Sequence, residues 1–197
     1  MDAGIIGKIC KSPLILARKV ARTIVGRHTQ PSEAAAKSIR IDLATRYIRG
    51  SGIEVGALHR PLWAPIKAKV KYVDRMTVHD LRITYPELEG LPLVNVDIVD
   101  DGEQLKSIAD GSQNFVIANH FLEHAQNPIA TLKRHIDVLK NGGVLYLAIP
   151  DKRFTFDVDR KMTTWEHLKR DYKDGPTWSY AGHIHEYATL VDKVTGD

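Results

Sequence analysis

Polar residues recur in the middle of the chain at the ends of short apolar runs. Ile53-Glu54-Val55 carries a carboxylate inside a β-branched run and breaks at Gly56. Val70-Lys71-Tyr72-Val73 ends at Asp74, Val94-Asn95-Val96 at Asp97, and Phe115-Val116-Ile117-Ala118 at Asn119, while Val144 to Ile149 ends at Pro150. Runs of this kind read as buried parallel strands, and residues beyond the C-terminal ends of such strands line the ligand crevice of an open α/β sheet. The residue types define the chemistry. A pyrophosphate needs several glycines, so that backbone amides approach it closely. Here only Gly56 is in place, followed by Ala57, Leu58, His59, Arg60 and Pro61. Such a turn is a poor phosphate cradle. It suits a nucleoside-like ligand without phosphate, held by carboxylates on ribose hydroxyls and amino groups. Asp74 lies 20 residues beyond Glu54, the spacing of a ribose-binding acid after a second strand.

These residues need elements to position them. After a hinge at Gln30-Pro31-Ser32, Ser32 can cap a helix that has Ile39, Leu43 and Tyr47 on one face and ends at Gly50-Ser51-Gly52. Pro61 and Pro65 argue for a compact loop between the first two strands, with Leu62 and Trp63 covering the sheet. Thr77 and Asp80 have capping-box spacing and open a short helix toward Tyr85-Pro86. Asn127-Pro128 starts a helix with Ile129, Leu132, Ile136 and Leu139 along one face, stopped by Asn141-Gly142-Gly143. The fifth strand follows, completing a strand-helix-strand unit with a right-handed crossover. Thr163 or Thr164 caps a helix through Tyr172, and residues 183–194 form another after Gly175-Pro176. The expected fold is a Rossmann-like three-layer α/β sandwich with a mainly parallel sheet of at least five strands and helices on both faces. Antiparallel sixth and seventh strands are not evident.

The 197 residues accommodate one domain plus an appendage. Residues 1–30 hold six Lys or Arg against Asp2, a net +5; the whole chain is +4, which leaves −1 for residues 31–197. The basic balance thus belongs to an N-terminal arm, and no basic surface calls for nucleic acid. The arm is amphipathic, with Ile5, Ile9, Leu16, Val20 and Ile24 opposite its cations, and too short in its apolar run to span a membrane. Three roles stay open for it: packing on its own domain or on a homodimer partner, peripheral contact with anionic lipid, or a transit peptide. The single cysteine, Cys10, forms no internal disulfide and fits a reducing, cytoplasmic setting. Residues 31–197 make up the domain, with 151–197 a helical substrate-side region.

The run Ile53-Glu54-Val55-Gly56-Ala57, Asp74, Val96-Asp97-Ile98, Asn119-His120-Phe121-Leu122-Glu123-His124, Pro128 and Lys140-Asn141-Gly142-Gly143-Val144-Leu145 together resemble a class I S-adenosylmethionine-dependent methyltransferase of the small-molecule branch called type 11. The resemblance spans residues 39–152 and implies S-adenosyl-L-methionine as cofactor. It implies that Glu54 orients the glycine turn or reaches the methionine ammonium through water, that Gly56 and Ala57 lie against the methionine, and that Asp74 accepts from both ribose hydroxyls. Arg75 and Met76 would flank the adenine, with Asp97 on its amine and Ile98 giving a backbone donor and an apolar face. Asn119 and His120 would close the site beside the sulfonium. The family usually has a second glycine where this chain has Leu58.

Each residue also has a plainer reading. Glu54 could belong to a structural network, although a carboxylate in a buried strand is costly. Asp97 competes with Asp100 and Asp101. His124 can tie its loop to the next helix. His183, His185 and Glu186 invite a metal, but His183 and Glu186 three apart lack a third anchored ligand and read as cap and surface residues, so no metal site is expected. Methyl transfer to a hydroxyl benefits from a general base, for which His120 and His185 are the candidates, with His124 behind them. Trp165, Trp178, Tyr180 and Tyr187 could stack on a small-molecule or glycan-linked acceptor. Two competing readings are a non-catalytic or truncated module of the same fold, and a nicotinamide-dependent oxidoreductase. The missing glycines and the lack of a Tyr-x-x-x-Lys pair argue against the latter.

Overall fold

A computed structural model describes residues 33–194. The expectations for the basic arm and for Ser32 as a cap lie outside these residues. Five strands, β1 (Gly50–Val55), β2 (Ala68–Asp74), β3 (Ile98–Val99), β4 (Gln113–Asn119) and β5 (Leu139–Ala148), form one sheet in the order β3-β2-β1-β4-β5, and every neighbouring pair is parallel. The order reverses between β1 and β4, the switch point at which an open parallel sheet presents its crevice. The helices are α1 (Glu33–Tyr47), α2 (Val78–Thr84), α3 (Pro128–Asp137), α4 (Trp165–Asp174) and α5 (Thr177–Leu190).

Strand side chains alternate between the two faces, and the register shows how. Ile53 stands beside Val116 and Glu54 beside Ile117, with Tyr72 and Tyr146 extending the Glu54 row on either side. Ile53, Val55, Val73 and Val116 build one core with Leu105, Ile108 and Val138. Phe115, Ile117 and Tyr146 build the other with Ala44, Ile48 and Leu62. Each fully buried Val, Ile or Phe in these layers contributes about 1.5–3 kcal/mol. Glu54 therefore points into an apolar layer beneath α1.

The described residues divide into two compact units. One holds the sheet (33–125 and 130–149), the other holds α4 and α5 (126–129 and 150–194).

Several boundaries and faces depart from the sequence reading. The third strand is Ile98–Val99 and not Val94–Val96, so Asp97 precedes it. Gly50-Ser51-Gly52 does not end α1 but opens β1. Ile39, Leu43 and Tyr47 are the exposed stripe of α1, and Ala44 and Ile48 are buried instead, packed with Phe115, Ile117 and Tyr146 of the sheet. In α3 the buried residues are Thr131 and His135, and Ile136 is exposed. Leu62 is buried as expected, whereas Trp63 is half exposed. Residues 139–143 belong to β5, and α5 starts at Thr177 and not at His183. The capping signals fared better: Thr77 caps α2 by accepting from Asp80 N, and Thr164 caps α4 by accepting from His167 N.

Candidate functional site

The site is built outward from Glu54. Only 1 % exposed, its two carboxylate oxygens both accept from the Leu62 amide, at 2.9 and 3.1 Å. The loop leaving β1 is thus folded back and fastened to the strand that precedes it. Burial pushes the Glu54 carboxyl up to about 7, against the opposing pull of the Leu62 N–H. Between these anchors the chain turns sharply, with φ +65° at Gly56 and φ 51° at Leu58. Leu58 adopts the left-handed conformation that glycine adopts freely, at a cost of about 1–2 kcal/mol for a residue with a Cβ. Its carbonyl accepts from Val94 N at 2.8 Å, and Arg60 N donates to Ala57 O at 3.0 Å. The loop keeps a glycine-like path without the glycine.

The turn is tied to the neighbouring strand end, since Gly56 N donates to Val73 O at 2.9 Å. The next residue, Asp74, closes β2. Its Oδ1 accepts from Arg75 N at 2.8 Å. Burial raises the Asp74 carboxyl above its usual range, while the Arg75 and Met76 amides and the Arg75 charge pull it back. Asp100 N donates to Asp74 O at 2.9 Å, which brings the first acid after β3 beside the end of β2. Burial alone would raise the Asp100 carboxyl, but the donors from Ser107, Asp101 and Lys106 together outweigh it and hold it below its usual range. Asp101 follows, accepting from Glu103 N and Gln104 Nε2.

Asp97 does not reach this rim. Its Oδ2 accepts from Tyr72 N at 2.8 Å and its own amide donates to Tyr72 O, so it extends the β2–β3 pairing from the N-terminal side. Ile98 packs against the core with Val73 and Leu105. Arg75 lies over the Tyr85 ring at 5.5 Å, and Met76 Sδ accepts from Thr84 Oγ1. Both side chains are thus directed toward α2 and the turn after it.

Asn119 ends β4, and its Oδ1 is a buried acceptor with no partner. A native buried amide oxygen left unpaired costs about 1–3 kcal/mol, so it marks a place where a donor is missing. His120 follows with φ 52°. Its amide donates to Ala148 O at 2.8 Å, its Nε2 is 3.0 Å from Arg40 Nη2, and its Nδ1 is 3.4 Å from Glu123 Oε1. His124 lies in the 3-10 turn Leu122–His124, its amide donating to Phe121 O. Below this, Gly102 has no room for a side chain: a Cβ there would sit 2.5 Å from Val55 Cγ1 and 2.7 Å from Phe121 Cζ. His135 supports the same loop from α3, its Nε2 donating to Gly102 O at 2.8 Å, and burial lowers its pKa.

The remaining candidates lie in the other unit. His185 is exposed on α5. His183 Nε2 is 3.1 Å from His167 Nε2, His167 reaches the buried Asp171 at 3.2 Å, and Glu186 is gripped by Arg160. Ser179 donates to the same Asp171 at 3.2 Å. The sequence trio His183, His185 and Glu186 is therefore not assembled, and no group of three or more such residues that could hold a metal occurs among the described residues. Of the aromatic residues, Trp178 lies under the Arg170 guanidinium at 3.9 Å, Trp165 and Tyr180 are exposed, and the Tyr187 hydroxyl is buried without a partner.

The structure thus brings Glu54, Gly56, Ala57 and Asp74 together around one turn, with Asn119 and His120 at the end of β4. Sequence reasoning missed Arg40, which stands four residues before Ala44 and eight before Ile48 on a stripe that only the structure shows to be the buried one. It also set Asp100 and Asp101 behind Asp97, because the third strand was drawn four residues early.

Residues 29–190 match the family described as Methyltransferase domain. No curated protein matches the chain. Among solved structures, a SAM-dependent methyltransferase from Aquifex aeolicus is 15% identical, covers 53% of this chain and 58% of its own, and has a TM-score of 0.38. An S-adenosyl-L-methionine-dependent methyltransferase from Methanococcus maripaludis is 11% identical, with coverage of 86% and 87% and a TM-score of 0.40. The trans-methyltransferase CalH, in complex with SAH, is 16% identical, with coverage of 62% and 43% and a TM-score of 0.38. The chain spans less than two thirds of the first and third of these. With a domain match over most of its length, and in agreement with the class I S-adenosylmethionine-dependent methyltransferase pattern of its residues, the chain belongs to the methyltransferase-domain family.

Proposed function

We propose that the chain binds S-adenosyl-L-methionine along the rim formed by the ends of β1, β2 and β4 and transfers its methyl group to a hydroxyl of a small-molecule or glycan-linked acceptor. The observation that carries this reading is the partnerless, buried Asn119 Oδ1 at the end of β4, on the strand beside the one that leads into the Gly56 turn. A ligand bearing an ammonium or amino group supplies the missing donor there. The residues fit such a ligand on the nucleoside side as well. Asp74 accepts from ribose hydroxyls, and Asp101, in place of Asp97, accepts from the adenine amine. With both its oxygens on Leu62, Glu54 acts by holding the turn. A turn with one glycine offers nothing to a pyrophosphate, which disfavours a dinucleotide.

When bound, the cofactor supplies a sulfonium-activated methyl group. The protein's task is then to position an acceptor oxygen in line and to exclude water. His120 takes the hydroxyl proton at Nε2, with Glu123 holding the opposite edge of the ring through Nδ1. His185 lies in the other compact unit, exposed on α5. For localisation, we propose the cytoplasm. No helix among the described residues is long and apolar enough to cross a membrane, and the basic amphipathic sequence of residues 1–30 supports contact with an anionic membrane surface or a second copy of the chain.

The experiment is incubation with methyl-labelled S-adenosylmethionine and a panel of glycosides and small alcohols. Label in at least one acceptor, lost in His120→Gln, is expected. Cofactor binding without label transfer to any hydroxyl would refute the oxygen-methylation half of the reading.

A further inference from the structure

Arg40 and His120 lie 80 residues apart in the sequence, yet they meet at 3.0 Å. A guanidinium carries donors only, so the imidazole nitrogen facing it, Nε2, is the bare one. The ring proton then sits on Nδ1, toward Glu123 Oε1 at 3.4 Å. In this arrangement Nε2, the atom best placed to receive an acceptor's proton, is capped. The arrangement is held in place on the histidine side by an unusual backbone: His120 has φ 52° and its amide is fixed to Ala148 O. Strained residues held by their surroundings cluster at binding and switching sites.

On the arginine side the arrangement is provisional. Among the described residues Arg40 has no carboxylate in ion-pair contact, and a guanidinium bound to a neutral imidazole keeps its charge unbalanced. A carboxylate offers it shorter, charge-assisted and bidentate bonds. One strand end therefore presents two complementary needs, the donor missing at Asn119 Oδ1 and the anion missing at Arg40. Together they match an α-amino acid, with its ammonium toward Asn119 and its carboxylate toward Arg40.

We propose that Arg40 is a carboxylate-responsive latch on His120: a ligand carboxylate arriving at the end of β4 draws the guanidinium off Nε2 and leaves that nitrogen free to accept a proton, while Glu123 keeps the ring in place. The inference rests on the methyl-transfer reading and adds to it a positioning residue and an order of events. A ligand shifts such an equilibrium only through its different affinity for the two states, and the carboxylate provides that difference. It can belong to the cofactor's methionine end or to an acidic acceptor.

The test reads the imidazole directly. In uniformly 15N-labelled chain, the His120 ring nitrogens are assigned with His120→Gln and followed on titration with S-adenosylhomocysteine, with 5′-methylthioadenosine, which has the nucleoside but no amino acid, and then with glucuronate as a carboxylate-bearing acceptor probe. Binding is monitored in parallel by calorimetry. The latch predicts that S-adenosylhomocysteine moves the Nε2 resonance away from its hydrogen-bonded position while Nδ1 stays protonated, and that 5′-methylthioadenosine does not. A shift that waits for glucuronate assigns the carboxylate to the acceptor. Arg40→Gln starts at the released position, does not respond, and in the first case binds S-adenosylhomocysteine about tenfold more weakly with 5′-methylthioadenosine affinity unchanged. Arg40→Lys, which keeps the charge but not the fork, falls between, and guards against a folding defect in the first variant. Equal shifts with both nucleosides, or no shift with any ligand that calorimetry shows to be bound, overturn the latch alone. Failure of every nucleoside to bind overturns the methyl-transfer reading and the latch with it.

Discussion

Replacing Glu54 with Gln isolates the energetics at the centre of the site. The carboxyl is 1 % exposed and is raised from 4.5 to about 7 by burial. Its protonated form is therefore favoured by folding. The stability it contributes is fully present below pH 4.5 and is lost as pH rises through about 7. At 1.36 kcal/mol per pKa unit, the full loss is about 3 kcal/mol. Gln keeps an oxygen for the Leu62 amide and cannot titrate. Any fixed cost of its NH2 group is independent of pH and cancels when the two proteins are compared across pH. Urea unfolding of both, at intervals from about pH 5 to about pH 8, should show the variant gaining about 2–3 kcal/mol relative to the parent over that range. A gap that stays constant would mean that Glu54 ionises at its ordinary value, and would refute the claim that its carboxylate is held in an apolar layer.

Further expectations follow from the same geometry. Gly102→Ala should destabilise by about 1–3 kcal/mol, read from the urea midpoint, because the new Cβ collides with Val55 and Phe121; an unchanged midpoint would mean the Gly102 loop is not packed as described. Asp97→Ala should cost about 1 kcal/mol of stability through the lost Tyr72 bond and leave nucleoside affinity unchanged. Asp101→Ala should do the opposite, weakening S-adenosylhomocysteine in calorimetry; exchange of the two phenotypes would return the adenine role to Asp97. Leu58→Gly removes a left-handed cost of about 1–2 kcal/mol but loosens the unfolded chain by about 0.4–1 kcal/mol. A net gain between zero and about 1.6 kcal/mol is expected in thermal unfolding, and a loss would show that the Leu58 side chain packs the turn.

The sheet was legible because its strands are near-continuous apolar runs, a pattern that burial on both faces imposes. The places of Glu54, Gly56 and Asp74 at the ends of the first two strands were legible for a related reason: a glycine and an acid mark where such buried runs stop. The helix faces were not. In α1 the bulkier residues Ile39, Leu43 and Tyr47 suggested the buried side, yet Ala44 and Ile48 pack on the sheet instead. In α3 the core took His135, whose ring proton finds the Gly102 carbonyl, a satisfaction that no periodicity announces. Asp97 was misplaced because β3 has only two residues, Ile98 and Val99, and the apolar run before it is loop. Arg40 and His120 lie 80 residues apart, and only the tertiary fold could join them.

The central claim is that the β1, β2 and β4 strand ends hold an adenosyl cofactor through Asp74. Calorimetric titration of the chain and of Asp74→Ala with S-adenosylmethionine, S-adenosylhomocysteine and NAD tests it most directly. The account predicts binding of the first two, strong weakening in the variant and no response to NAD. Absence of adenosyl-ligand binding in a folded sample, or binding of NAD alone, would contradict it.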